Sequence, residues 1–136
     1  DVTAAMALEQ FKRLPSFMEA RSKVHEFYNE NLKNVNWLDL PLPIAVGCTT
    51  SYYFYHIQVK NGKRDELAKS LRDRGIYTTY RYFPLHRVPG YGVHASCPNA
   101  DYAVDNTLCM PMHQSLSLDD LTLIVDTIKE FGSKYC

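Results

Sequence analysis

The chain has 136 residues, enough for one domain with one continuous core, because a domain of this size buries about two thirds of the surface its unfolded chain exposes. Fifteen Lys and Arg balance fifteen Asp and Glu, so no general field collects phosphate backbones or anionic lipid, and nucleic acid and membrane surfaces are excluded as first choices of partner. No apolar run reaches the ~20 residues of a membrane span and no basic-then-apolar signal opens the chain, so a soluble, cytoplasmic protein is expected.

Asp1 or Thr3 can cap a first helix in which Ala4, Ala5, Ala7, Leu8, Phe11 and Leu14 form a small-residue apolar face at helical spacing. Such a face asks for a close partner. Pro15 is expected to end this helix and open a second, Ser16 to Leu32, set at an angle, with Phe17, Ala20, Val24, Phe27, Tyr28 and Leu32 as its buried stripe. Val35 to Leu38 read as a short strand, and the stretch holding Pro41, Pro43 and Gly47 as a surface loop. Thr49 to Val59 is nearly all β-branched or aromatic, which predicts a strand covered on both faces.

Asn61-Gly62 predicts a turn, after which Leu67, Leu71 and Ile76 mark an amphipathic helix ending at Gly75. Tyr77 to Tyr82 then read as a strand. Two prolines and two glycines between residues 88 and 98 are loop chemistry, and Asn99 is expected to cap a short helix through Ala103 to Asn106. Leu108 to Met112 is an apolar run broken by Pro111. Ser117-Leu-Asp-Asp120 has the pattern that opens a helix, whose buried face is Leu121, Ile124, Val125, Ile128 and Phe131.

The densest chemistry lies in residues 75 to 91, where a Gly closes a helix, a Thr- and Tyr-rich run follows, and a Pro-Leu-His turn delivers His86 between Arg81 and Arg87. Guanidinium groups beside imidazole and phenol suit a phosphate or a carboxylate, although a surface ion pair is the commoner fate of an arginine. His56, inside an aromatic strand, reads as a core or sheet-surface histidine. Tyr52 to Tyr55 lack the basic neighbours a nucleic-acid stacking platform needs, so they read as sheet core.

His94 and His113 lie near Cys97 and Cys109, but the spacings match no zinc pattern, and no metal is expected. Cys48, Cys97, Cys109 and Cys136 contain no two-residue gap and are expected as free thiols. No glycine-rich phosphate loop, Ser-His-Asp set or pair of carboxylates in a turn is identified. The residues therefore nominate a ligand-gripping turn rather than a complete catalytic apparatus. The start at Asp1, without methionine and directly in helix formers, is expected of the C-terminal portion of a longer protein.

Several segments in order carry a resemblance: Asp1 to Leu14, Arg21 and Tyr28, Ser51 to Val59, Gly75-Ile76, the Tyr82 to His86 turn, Pro98-Asn99-Ala100, Leu108 to His113 and Leu116-Ser117. Together they resemble the C-terminal part of the pyridoxal-phosphate-dependent sugar-nucleotide aminotransferases of the DegT/StrS type, over essentially the whole chain. The resemblance implies the small domain of a fold type I aminotransferase, an α/β module with a small, mostly antiparallel sheet covered by helices. It implies a homodimeric parent that moves an amino group, usually from glutamate, to a keto sugar on a nucleoside diphosphate.

In that family the Schiff-base lysine belongs to the preceding large domain, and none of the eight lysines here matches it, so the chain alone is expected to be inactive. The resemblance places Tyr82 and His86 on the turn that faces the active-site cleft, with Arg81 and Arg87 able to meet a nucleotide phosphate or the donor carboxylate. Tyr53 falls where many members carry a His, and the turn is one residue tighter than the family's Tyr-Pro-x-Pro-Leu-His. The rival expectation is a stand-alone small-molecule-binding or dimerisation module of the same shape without catalysis.

Overall fold

The computed structural model describes residues 1–92 and 95–135. Helix α1 runs without interruption from Val2 to Leu32, with the Asp1 carboxylate accepting from the Thr3 amide at 3.0 Å as its cap. Pro15 therefore does not divide it into two helices, contrary to expectation. A proline here removes one amide donor and frees the Phe11 carbonyl, but Phe11 and the residues around Pro15 are exposed, so water can take the bond. The apolar stripe is partly as expected: Val24, Tyr28 and Leu32 are buried, while Phe17, Ala20 and Phe27 are half-buried. Everything from Val2 to Ser16 is exposed.

The sheet has three antiparallel strands in the order β1 (Leu38–Asp39), β2 (Tyr55–Val59) and β3 (Thr107–Met110). Leu38 pairs with Val59, and Tyr55 with Met110. Strand β1 starts later than predicted, and β2 is half the expected length. The expected run fails at Tyr52, whose φ of 47° is left-handed; its amide bonds back to Thr50 Oγ1 at 3.3 Å and its ring packs on His25. Tyr55, Ile57 and Val59 face the core and are fully buried, whereas His56 and Gln58 on the other face are only half-covered.

Helix α2 (Arg64–Asp73) follows a tight turn over Lys60–Gly62, as predicted. It ends at a left-handed Gly75 with φ 77°, where the Ile76 amide reaches back to the Leu71 carbonyl at 3.0 Å. The expected strand over Tyr77 to Tyr82 reduces to a single bridge, Thr79 with Cys109. On the Tyr77 side the reason lies on the partner strand. Extending the ladder one step would place Tyr77 opposite Pro111, which has no amide hydrogen to give.

Helix α3 (Pro98–Asn106) starts on Pro98, so Asn99 lies inside the first turn and does not cap it; a first-turn proline with φ preset for a helix prevails over the capping residue. Helix α4 (Leu118–Tyr135) opens on the predicted capping box. The Asp120 amide donates to Ser117 Oγ at 3.1 Å, and the Ser117 amide donates to Asp120 Oδ2 at 2.9 Å. Its Leu121, Ile124, Val125, Ile128 and Phe131 are buried as expected, against α2 and the C-terminal half of α1.

Gly132 explains how α4 and the α1–β1 connection approach so closely. A Cβ at that position would stand 2.7 Å from Trp37 Cε2 and nearer still to its Nε1, and the Trp37 ring also packs at a tilt on Phe131, 5.9 Å between centroids. Alanine would gain helix propensity yet overpack this contact, so Gly132→Ala is expected to destabilise the protein by about 1–3 kcal/mol. Urea denaturation followed by fluorescence of the single tryptophan checks it; an unchanged or raised midpoint would show that the indole moves aside freely.

Candidate functional site

The site is built where the chain leaves the sheet. Thr79 is held to β3 by two hydrogen bonds with Cys109, at 3.1 and 2.8 Å. Beyond it Tyr80 lies under the Arg64 guanidinium, 4.5 Å from ring centre to Cζ. Arg81 donates to the Tyr53 hydroxyl at 2.9 Å, and its guanidinium lies within cation–π range of the Tyr53 and Tyr82 rings. The Tyr53 hydrogen bond raises the Arg81 pKa and keeps it charged. Among the described residues no carboxylate pairs with Arg81.

The chain then passes a buried Pro84 into one 3₁₀ turn, Leu85–Arg87, closed by the Arg87 amide on the Pro84 carbonyl at 3.0 Å. This turn sets His86 and Arg87 against α3. His86 Nε2 meets Asp101 Oδ1 at 2.8 Å, and Arg87 Nε meets the same oxygen at 2.5 Å. The terminal nitrogens of Arg87 reach both oxygens of Asp105 at 3.3 and 3.4 Å. Asp101 and Asp105 are four residues apart on one helix, hence on one face.

The four residues nominated from sequence therefore fall into two clusters. Arg81 and Tyr82 join Tyr53 at the sheet margin, and His86 and Arg87 join Asp101 and Asp105 at α3. A cleft of about 170 Å³ with Tyr53, Thr79, Arg81, Cys109 and Met112 in its walls belongs to the first, and a shallow cavity of about 580 Å³ lined by His86, Pro84, Leu85, Tyr91 and Cys97 to the second. A separate groove of about 460 Å³ shares Thr79 and Cys109 with the cleft, but its Arg74 is committed to Glu130 and Thr127.

The remaining candidates are structural. His56 is half-buried beside Phe54, and burial lowers its pKa. His113 takes the Ser115 amide on Nδ1 at 3.3 Å. His94 and Cys136 lie outside the described residues. Among those described, Cys48, Cys97 and Cys109 are free, and no three His, Cys, Asp or Glu side chains converge as metal ligands. Sequence reading missed Asp101 and Asp105. Two acids at helical spacing just after a turn with two basic groups were the available signal.

The model of the DegT/DnrJ/EryC1/StrS aminotransferase family matches residues 1–129. The chain belongs to this family. It is 36% identical over 130 residues to a dTDP-4-dehydro-2,3,6-trideoxy-D-glucose 4-aminotransferase from Saccharopolyspora spinosa, a match covering 96% of this chain and 34% of that protein. It is 30% identical to a dTDP-4-amino-4,6-dideoxy-D-glucose transaminase from Shigella dysenteriae, over 96% of this chain and 37% of the relative. The crystal structure of the aminotransferase TlmJ from Streptoalloteichus hindustanus superposes with a TM-score of 0.93 at 41% identity, over 98% of this chain and 36% of that one. The chain thus spans about a third of the length of the relatives it matches. The mixed helix and small antiparallel sheet expected from sequence is the architecture shared with these aminotransferases.

The clamp between the turn and α3 of this aminotransferase-family chain has a pH signature. The His86 hydrogen bond is the main cause holding the Asp101 carboxyl below its ordinary pKa; burial opposes it and Arg87 adds to it. A carboxylate depressed in the folded state contributes stability above its unfolded value, and that contribution is lost as pH falls through the folded value. The clamp is therefore expected intact from neutral pH down to about pH 4 and lost only below it. Carbon-detected NMR titration of the Asp101 carboxyl checks this. A midpoint at or above the ordinary aspartate value contradicts it.

Proposed function

We propose that the whole protein, with this chain as its C-terminal small domain, transfers an amino group from an amino acid, glutamate in the first instance, to a keto sugar carried on a nucleoside diphosphate. Family membership over residues 1–129 carries this reading, supported by relatives named as aminotransferases of dTDP-linked deoxy sugars. The protein is read as a cytoplasmic homodimer. No described helix is long and apolar enough to cross a membrane. The exposed Val2, Met6 and Phe11, at 77%, 66% and 70% of their full accessibility, suit burial against the remainder of the protein.

Pyridoxal phosphate, when bound, supplies the electron sink that such a transfer requires. The lysines of this chain do not fit the role of its anchor. A Schiff-base lysine is desolvated or placed beside another cation so that its amine is neutral. None of the eight here is buried, and five pair with carboxylates at the surface: Lys12, Lys23, Lys33, Lys60 and Lys63. The anchoring lysine is assigned to the rest of the protein, and the chain alone is inactive.

The work of this domain is recognition. Arg81, charged and without a carboxylate partner among the described residues, is read as the group that meets a phosphate of the nucleotide, with Tyr53 and Tyr82 walling it. His86 orients the sugar. Arg87, whose guanidinium is occupied by Asp101 and Asp105, supports the turn in place of gripping an anion. The full-length protein is expected to show the absorbance of bound pyridoxal phosphate and to aminate a nucleotide-linked keto sugar. Arg81→Ala should raise KM for that sugar by about tenfold to a hundredfold, the worth of one charge-assisted bond. Absence of both the cofactor band and amino transfer would defeat the reading.

A further inference from the structure

A neutral imidazole carries one proton, and the partner of each nitrogen decides where it sits. His86 is nearly enclosed, its side chain 13% exposed, and its Nε2 is committed to Asp101 Oδ1 at 2.8 Å. An ionised carboxylate only accepts, so the proton belongs on Nε2 and the lone pair on Nδ1. Nδ1 makes no hydrogen bond to a described residue. The cavity beside the ring is walled mostly by carbon, from Pro84, Leu85, Tyr91, Cys97 and Ala100 among others. Arg87 Nε meets the same oxygen at 2.5 Å, and Asp105 in turn steadies Arg87, so Asp101 is fixed in place.

A lone-pair nitrogen accepts hydrogen bonds. It therefore has nothing to offer a phosphate oxygen, which is itself an acceptor, but matches a hydroxyl.

We propose that Asp101 is a positioning residue acting through His86: it holds the ring with its proton on Nε2, so that Nδ1 accepts a hydrogen bond from a hydroxyl of the sugar, while anion recognition is left to Arg81. The proposal rests on the reading above that His86 meets the sugar nucleotide. It separates the turn into a part that recognises hydroxyl and a part that recognises charge.

Two measurements on the full-length protein test it. Nitrogen NMR of the His86 ring at about pH 8, above the ordinary histidine range, should find the proton on Nε2 in the wild type and a mixture of the two neutral forms in Asp101→Ala. A wild-type proton on Nδ1, or protons on both nitrogens, overturns the assignment, and this arm needs no variant to fold. In steady-state kinetics, Asp101→Ala and His86→Ala should each raise KM for the keto sugar by about tenfold, leave the amino-donor half-reaction unchanged, and show no further loss when combined. Losses that add, that strike the donor half-reaction equally, or that are absent would each sink it. Should the wild type move no amino group at all, the functional reading falls and the sugar hydroxyl with it, whereas a wrong tautomer in a working enzyme refutes the role of Asp101 alone.

Discussion

Two buried phenols tie the long helix to the sheet, and the position of everything downstream depends on them. Tyr28 donates to the Pro111 carbonyl at 2.9 Å, Tyr55 donates to Asn29 Oδ1 at 2.8 Å, and the two rings meet at 4.9 Å. Burial drives both phenol pKa values up, so each remains a donor throughout the useful pH range. An unsatisfied phenol at this depth would cost about 1–3 kcal/mol, so the register that satisfies both is favoured. That register starts β2 at Tyr55. It sends the preceding residues out of the sheet, where Tyr52 packs on His25 and Tyr53 stands beside Arg81.

Pro111 serves this seam twice. Its carbonyl receives Tyr28, and its missing amide hydrogen stops the neighbouring chain from pairing on the Tyr77 side of the Thr79–Cys109 bridge. On the other side of the bridge residues 80 to 87 leave the ladder and carry side chains away from the sheet, at the point where a connecting segment gains irregular backbone on a rigid support. The sheet does not merely underlie the site. Its early termination creates the room in which the turn stands.

What the sequence disclosed and what it withheld follow from the range of the forces involved. Helix α4, its Ser117–Asp120 cap and its apolar stripe were legible because cap and period are local. So was α2 with its terminal Gly75. The unbroken α1 was not, because a proline reads as a breaker unless its surroundings are known to be open to water. Nor was the single bridge that stands in place of a strand over Tyr77 to Tyr82, because at the Tyr77 end pairing is stopped by Pro111 on another strand. The site followed the same division. Density of Arg, Tyr and His in one turn nominated Arg81, Tyr82, His86 and Arg87, but their separation into two clusters depends on Asp101 and Asp105, which a different element supplies.

That separation is at bottom a matter of charge. Arg87 faces two carboxylates, so its field is cancelled locally and its value lies in geometry: a guanidinium fork holding a turn onto a helix. Arg81, one residue past the last exposed tyrosine of the bridge segment, meets phenols instead of acids. Phenol hydroxyls and ring faces steady a guanidinium without neutralising it. An arginine so placed keeps its full charge for a ligand, and on the proposed reading that ligand is an anion. Two arginines that look equivalent in the sequence are made unequal by what the fold sets opposite each.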